Sequence, residues 1–209
     1  NSLSRARAES ANYPFCTIEP NVGIIPVPDR RLDKLAHLVQ PEKVTPTTIE
    51  FVDIAGLVKG ASKGEGLGNQ FLANIRQTDA IIHILRCFED ENISHVDTTV
   101  DPVRDKRVVD TELQLKDLET IENRMQKVEK QAKSGDKDAR KLQEVLRQYE
   151  QHLMEGKPAH LLELDKEDKA LVQDLQLLTD KPVLYVCNVE EASVVNGNKH
   201  VERVREEVA

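Results

Sequence analysis

The sequence predicts an α/β protein, an open and mostly parallel sheet flanked by helices, with an antiparallel helical hairpin inserted between two strands. Two observations carry this. Short apolar, β-branched runs of the kind buried in parallel sheets are separated by loops and helical stretches. Between the last two of these runs, from about Asp105 to about Leu178, the chain becomes charged and helical. At 209 residues and 39% hydrophobic content it can bury a real core.

The first run, Val22 to Val27 (VGIIPV), lies between Pro20 and Pro28 and suits an edge strand, because proline cannot donate to a ladder. Thr48 to Asp53 (TIEFVD), Ile81 to Phe88 (IIHILRCF) and Pro182 to Asn188 (PVLYVCN) read as buried parallel strands. His83, inside the second of these, reads as a core residue. Within the insertion, Leu118, Ile121, Met125, Val128 and Ala132 recur at alternating three and four residues, as an a/d seam requires. Leu142, Val145, Tyr149 and His152 with Leu153 roughly repeat the pattern. Ser134, Gly135, Asp136 and Lys137 form a polar turn between the two stretches, hence a hairpin. The expected division is 1–104, 105–178 and 179–209, with the short hairpin suited to docking rather than to an oligomerising rod. Residues 124 to 147 carry eight basic and four acidic side chains in a chain of net charge −8. Such a surface can grip RNA phosphates, or it can simply be a solvated helix face.

Composition narrows the function classes. No Trp, an aromatic share of 3% and the negative charge argue against a base-stacking surface for single-stranded nucleic acid. No apolar run approaches the ~20 residues that span a bilayer, and NSLSRARAES lacks a signal peptide's apolar region. A soluble cytoplasmic protein with no membrane or DNA partner, and a monomer, is expected. Cys16, Cys87 and Cys187 are odd in number and far apart, which predicts reduced, buried thiols.

The chemistry is concentrated at strand ends. TIEFVD delivers Asp53 to the carboxyl edge of its strand, followed by Ile54, Ala55 and Gly56, and that edge is where α/β sheets bind ligands. An Asp there can hold Mg²⁺ through its water shell, and the Gly amide can approach a terminal phosphate. DxxG alone recurs by chance or caps a turn. Its continuation, LVKGASKGEGLGNQFL, spaces Gly60, Gly64, Gly66 and Gly68 ahead of a helix-like stretch, which suits a segment that orders around a ligand. Upstream, the loop NYPFCTIEPN holds Thr17, whose hydroxyl can complete a Mg²⁺ shell or merely sit in a connector. Downstream, PVLYVCN ends in Asn188, then Val189, Glu190 and Glu191, an amide and a carboxylate able to read a purine edge.

Together, NYPFCTIEPN, FVDIAGLVKGASKGEGLGNQFLANIRQTDAI, RCFED and NVEE resemble the Obg-like ATPase, or YchF, subfamily of translation-factor-related P-loop GTPases, over essentially the whole chain. The resemblance implies a P-loop NTPase G domain with Thr17 and Asp53 on Mg²⁺ and Gly56 sensing the γ-phosphate. It implies Asn188, Val189 and Glu191 at the base, where GTPases carry NKxD. Glu191 in place of that Asp alters the guanine-reading geometry, and the subfamily prefers ATP to GTP. Leu57 follows DIAG where Ras-like proteins place a water-orienting Gln, so another group must act. The resemblance points to His95, which on its own reads as an ordinary loop histidine.

The expected function is therefore hydrolysis of ATP with Mg²⁺ by a molecular switch whose partner is the ribosome, through ribosomal RNA or protein. A GTP-specific enzyme of the same fold and a non-catalytic scaffold presenting the hairpin are the alternatives. No GxxxxGK[ST] occurs in the sequence, and the opening residues read as mid-helix without a cap. A phosphate-binding loop is expected ahead of Asn1 and a small TGS domain after Ala209. The 209 residues alone are expected to bind nucleotide weakly or not at all.

Overall fold

The computed structural model describes residues 21–54, 67–93, 95 and 99–209. The chain divides into two compact units, Asn1–Gly56 and Leu57–Ala209.

In the first unit, β1 (Asn21–Pro26) and β2 (Thr48–Asp53) pair antiparallel, Asn21 opposite Asp53 and Pro26 opposite Thr48. Between them runs α1 (Arg30–Val39), capped by Asp29, whose carboxylate accepts from the Arg31 amide at 2.8 Å. Gln40, in the left-handed region, ends it. The edge-strand expectation for the first run agrees with this pairing, but the reading of Thr48 to Asp53 as a buried parallel strand does not. Thr48, Ile49 and Glu50 are exposed and only Phe51 and Val52 are half-buried. Glu50 interrupts the apolar run, and a strand with a polar residue at its centre suits one-sided antiparallel pairing better than burial on both faces.

The second unit contains α2 (Leu67–Arg76), β3 (Ile81–Arg86), α3 (Pro102–Lys133), α4 (Lys137–Met154), α5 (Lys166–Val172), β4 (Val183–Asn188) and α6 (Lys199–Val208). As expected, β3 and β4 are parallel, in register from Ile81 with Val183 to Arg86 with Asn188. Their burial alternates, however. Leu85 is 2% exposed while Ile84 and Leu184 are 65% and 60% exposed. Successive side chains leave a strand on opposite faces, and within this unit Val103 of α3 and Val201 and Val204 of α6 cover the face that carries Leu85.

On the covered face the His83 ring lies 5.7 Å from that of Tyr185. Burial pushes the His83 pKa down, against the attraction of Asp110 and Asp105 and with the repulsion of Lys106. A folded pKa below the unfolded value means the unfolded chain binds the proton first. Stability from a neutral His83 is therefore present above about pH 6.5 and lost as pH falls towards the folded value. Urea titrations from pH 7.5 down to 5 are expected to show that decline, with a slope of at most about 1.4 kcal/mol per pH unit from this group. In His83→Gln the decline should be shallower; an unchanged slope would remove His83 as its source.

The hairpin is built as its periodicity requires. Asp101 caps α3, accepting from the amides of Val103 and Arg104, with Pro102 in the first turn. At ~1.5 Å per residue its 32 residues extend about 48 Å. The turn falls at 134–136: Gly135 takes φ +99°, Asp136 caps α4 through the amides of Asp138 and Ala139, and Arg140 donates to the Ala132 carbonyl at 3.0 Å. Ile121 and Val128 of α3 pack with Val145, Leu146, Tyr149 and Leu153 of α4. Leu146, completely buried, lies outside the seam as the sequence presents it.

The base of the hairpin is fastened by a buried carboxylate. Asp117 of α3, completely buried, accepts from the amides of Leu178 and Thr179 at 2.7 and 2.8 Å and from the Thr179 hydroxyl at 2.8 Å. Burial pushes its pKa up despite these three bonds and the nearby Arg76. Arg76 of α2 reaches the Leu175 carbonyl at 2.7 Å and the Thr120 hydroxyl at 3.0 Å. The segment entering β4 is thus tied to both α3 and α2.

Candidate functional site

In the second unit the carboxyl ends of β3 and β4 lie side by side, and each strand feeds a loop that the sequence singles out. The first loop begins at Arg86. Its guanidinium donates to the carbonyls of Phe88, Ile93 and Asp90 at 3.1, 3.1 and 3.2 Å and lies 4.9 Å above the Phe88 ring. One side chain therefore gathers the RCFED turn. The sequence marks RCFED as a motif without revealing this role, because the acceptors are backbone carbonyls that no spacing rule identifies.

That turn leads to His95, partly buried, whose Nε2 lies 3.0 Å from Asp105 Oδ2 in the first turn of α3. Arg104 holds the other oxygen of Asp105 through Nε and Nη2 at 3.2 and 3.1 Å. His95 is thus held by an ionisable partner; Asp105 is absent from the candidates read off the sequence, although its position at the start of a capped helix is visible there.

The second loop follows β4. Asn188, exposed, accepts at its carbonyl from the Cys87 amide at 2.7 Å. Val189 turns its side chain into the cluster containing Leu85 and Cys87, so its side chain supports the loop from beneath. The two glutamates differ. Glu190 is engaged by the Ser193 hydroxyl and by Asn198 Nδ2 at 3.2 Å. The Ser193 bond is the main reason its pKa lies below the usual carboxylate range. Asn198 also donates to the Cys87 carbonyl at 2.7 Å and caps α6 through the amides of His200 and Val201. Glu191 opens the short turn Glu191–Ser193 with its side chain exposed. Both glutamates of NVEE are exposed, and Glu190 is the one whose carboxylate is engaged within the loop.

Asp53 ends β2 in the first unit, exposed. A hard oxygen donor at a strand's carboxyl end fits a hydrated Mg²⁺. Thr17 and Gly56 lie outside the described residues, as do Leu57 and Cys16. Among the described residues no group of three or more His, Cys, Asp or Glu is placed to hold a metal. Cys87 and Cys187 are free thiols; Cys87 is buried as expected but Cys187 only half-buried, and burial followed by the neighbouring Cys187 pushes the Cys87 pKa up. Among the described residues no helix is long and apolar enough to cross a membrane.

A family profile described as "50S ribosome-binding GTPase" matches residues 1–189. The chain is similar to "Ribosome-binding ATPase YchF" of Bacillus subtilis (strain 168), 54% identical over 211 residues that cover 100% of this chain and 58% of that protein. It is similar to the protein of the same name from Escherichia coli O157:H7, 53% identical over 99% of this chain and 56% of that protein. The solved structure of the Schizosaccharomyces pombe YchF GTPase superposes with a TM-score of 0.76 at 35% identity, covering 95% of this chain and 54% of that one. The chain thus spans somewhat over half the length of these relatives. With an α/β fold carrying a long helical hairpin, the chain belongs to the YchF family of Obg-like P-loop GTPases.

Proposed function

We propose that this chain supplies the switch, base-recognition and helical-arm portions of a Mg²⁺-dependent nucleoside-triphosphate hydrolase that prefers ATP and works on the ribosome in the cytoplasm. The observation that carries the preference is the split between the two glutamates of NVEE. Glu190 is occupied by Ser193 and Asn198, which leaves Glu191 as the carboxylate available to a base. Reading guanine requires a carboxylate set to accept from adjacent ring and exocyclic N–H groups. Glu191 is one methylene longer than the Asp of NKxD and exposed, so it holds that geometry poorly, and the energetic advantage of guanine over adenine is lost.

The remaining roles follow the same reading. Asp53 and Thr17 hold Mg²⁺, Gly56 contacts the γ-phosphate, Asn188 and the Val189 backbone sit at the base, and His95 orients or deprotonates the attacking water. Bound Mg²⁺ neutralises charge on the β- and γ-phosphates. The nucleotide-binding body is 1–104 with 179–209, and 105–178 is the arm that meets the ribosome. Lys127, Lys130, Lys137 and Arg147 are exposed along that arm and suit RNA phosphates. The names of the Bacillus and Escherichia relatives, both ribosome-binding ATPases, support this reading. GTP specificity is the second reading, favoured by the fission-yeast relative, which is named a GTPase, and by the family profile.

Competition between ATP and GTP decides between them. The measurement is made in a chimera that carries this chain in place of the matched residues of the Bacillus relative. ATP is expected to bind about tenfold or more tightly than GTP, and Glu191→Asp to narrow the gap. GTP displacing ATP at equal or lower concentration would rule out the ATP preference.

A further inference from the structure

The carboxylate beside His95 sits on a firm support. Asp101, which caps α3, also accepts from Arg203 of α6 at 3.0 and 3.1 Å, so the first turn of α3 is tied to a second helix. The Asp105 amide donates to the Asp101 carbonyl within that turn. The fork from Arg104 then fixes Asp105 Oδ1, and the same guanidinium donates to the Thr99 carbonyl at 2.7 Å. Oδ2 is thereby turned towards His95 Nε2. A water-activating imidazole needs this support, because a base is effective only if its ring orientation and tautomer are set by a further group.

We propose that Asp105 is the positioning residue for His95, holding the neutral ring as its Nε2–H tautomer and so making Nδ1 the nitrogen that carries the lone pair. This rests on the reading of His95 as catalytic. A carboxylate can only accept, so a neutral imidazole beside it places its proton on the nitrogen facing it. The lone pair then lies on Nδ1, and a neutral ring with its tautomer set is the state required to orient or deprotonate water. No covalent step is involved; Asp105 acts through His95.

Two measurements test the assignment. In this chain itself, the ring-nitrogen chemical shifts of neutral His95 should report Nε2–H, and Asp105→Asn should shift the ring towards a mixture of tautomers. In the chimera with the Bacillus relative, Asp105→Asn should lower kcat about tenfold to hundredfold with KM nearly unchanged, and Asp105→Glu should restore part of the loss. In the His95→Ala background, Asp105→Asn should have no further effect on kcat. Melting temperatures are read alongside, since Asp105 is also the first-turn acidic residue of α3. An equal loss of kcat with and without His95 would overturn the proposal, as would an unchanged tautomer. If His95→Ala lowers turnover and Asp105→Asn does not, the proposal fails while His95 keeps its role. If His95→Ala leaves turnover intact, the catalytic reading fails, and the tautomer still decides whether Asp105 sets the ring.

Discussion

His95→Ala is expected to lower the turnover of the chimera about a hundredfold while changing nucleotide affinity less than about twofold. The expectation starts from Leu57, an apolar side chain directly after DIAG that cannot polarise water. His95 is the histidine of the loop after β3, and that loop is gathered by Arg86 and delivers the ring to Asp105. A base used only in the transition state contributes to kcat and hardly to ground-state binding, which is why the split between the two constants is the informative readout. Single-turnover hydrolysis and equilibrium binding of a fluorescent ATP analogue measure the two separately. Turnover equal to that of the parent chimera would move water activation to another group.

Asp117→Ala is expected to destabilise the fold by about 3 kcal/mol. Three donors, the amides of Leu178 and Thr179 and the Thr179 hydroxyl, would lose their acceptor in a place closed to water. Each such loss costs about 1–3 kcal/mol, and removal of the buried carboxylate's own desolvation cost offsets part of the total. A loss of that size is a substantial share of a domain's ~5–15 kcal/mol. Asp117→Asn keeps one carbonyl acceptor and should cost less. Hydrogen exchange of the α3 and α4 amides is the appropriate probe, because the staple joins the hairpin to the segment entering β4. Protection unchanged in Asp117→Ala would show that the apolar seam alone holds the hairpin base.

The hairpin and the parallel pair were legible in the sequence because their signals are local. A three-four alternation from Leu118 to Ala132 needs only one helix to be recognised, and the Ser134–Lys137 turn carries Gly135 where a positive φ is needed. The apolar runs Ile81 to Phe88 and Pro182 to Asn188 announced strands for the same reason. For Thr48–Asp53 the sequence announced a strand but neither its direction nor its exposure, because an apolar run does not record which element pairs with it or covers it. Nor was Leu146, whose burial depends on which side of α4 meets α3.

The chemical inventory is local in the chain: Asp53 closes one strand, Asn188 and the two glutamates follow another, and His95 lies in the loop after β3. How the groups of the second unit are partnered comes only from the fold. It engages Glu190, not Glu191, with Ser193 and Asn198, although the two are adjacent, chemically identical and both exposed. It also set Asp105 against His95, ten residues away, and Asp117 against Thr179, sixty-two residues away. The physical reason is that a hydrogen bond is made at about 3 Å in space, whereas periodicity and motif spacing record only separation along the chain.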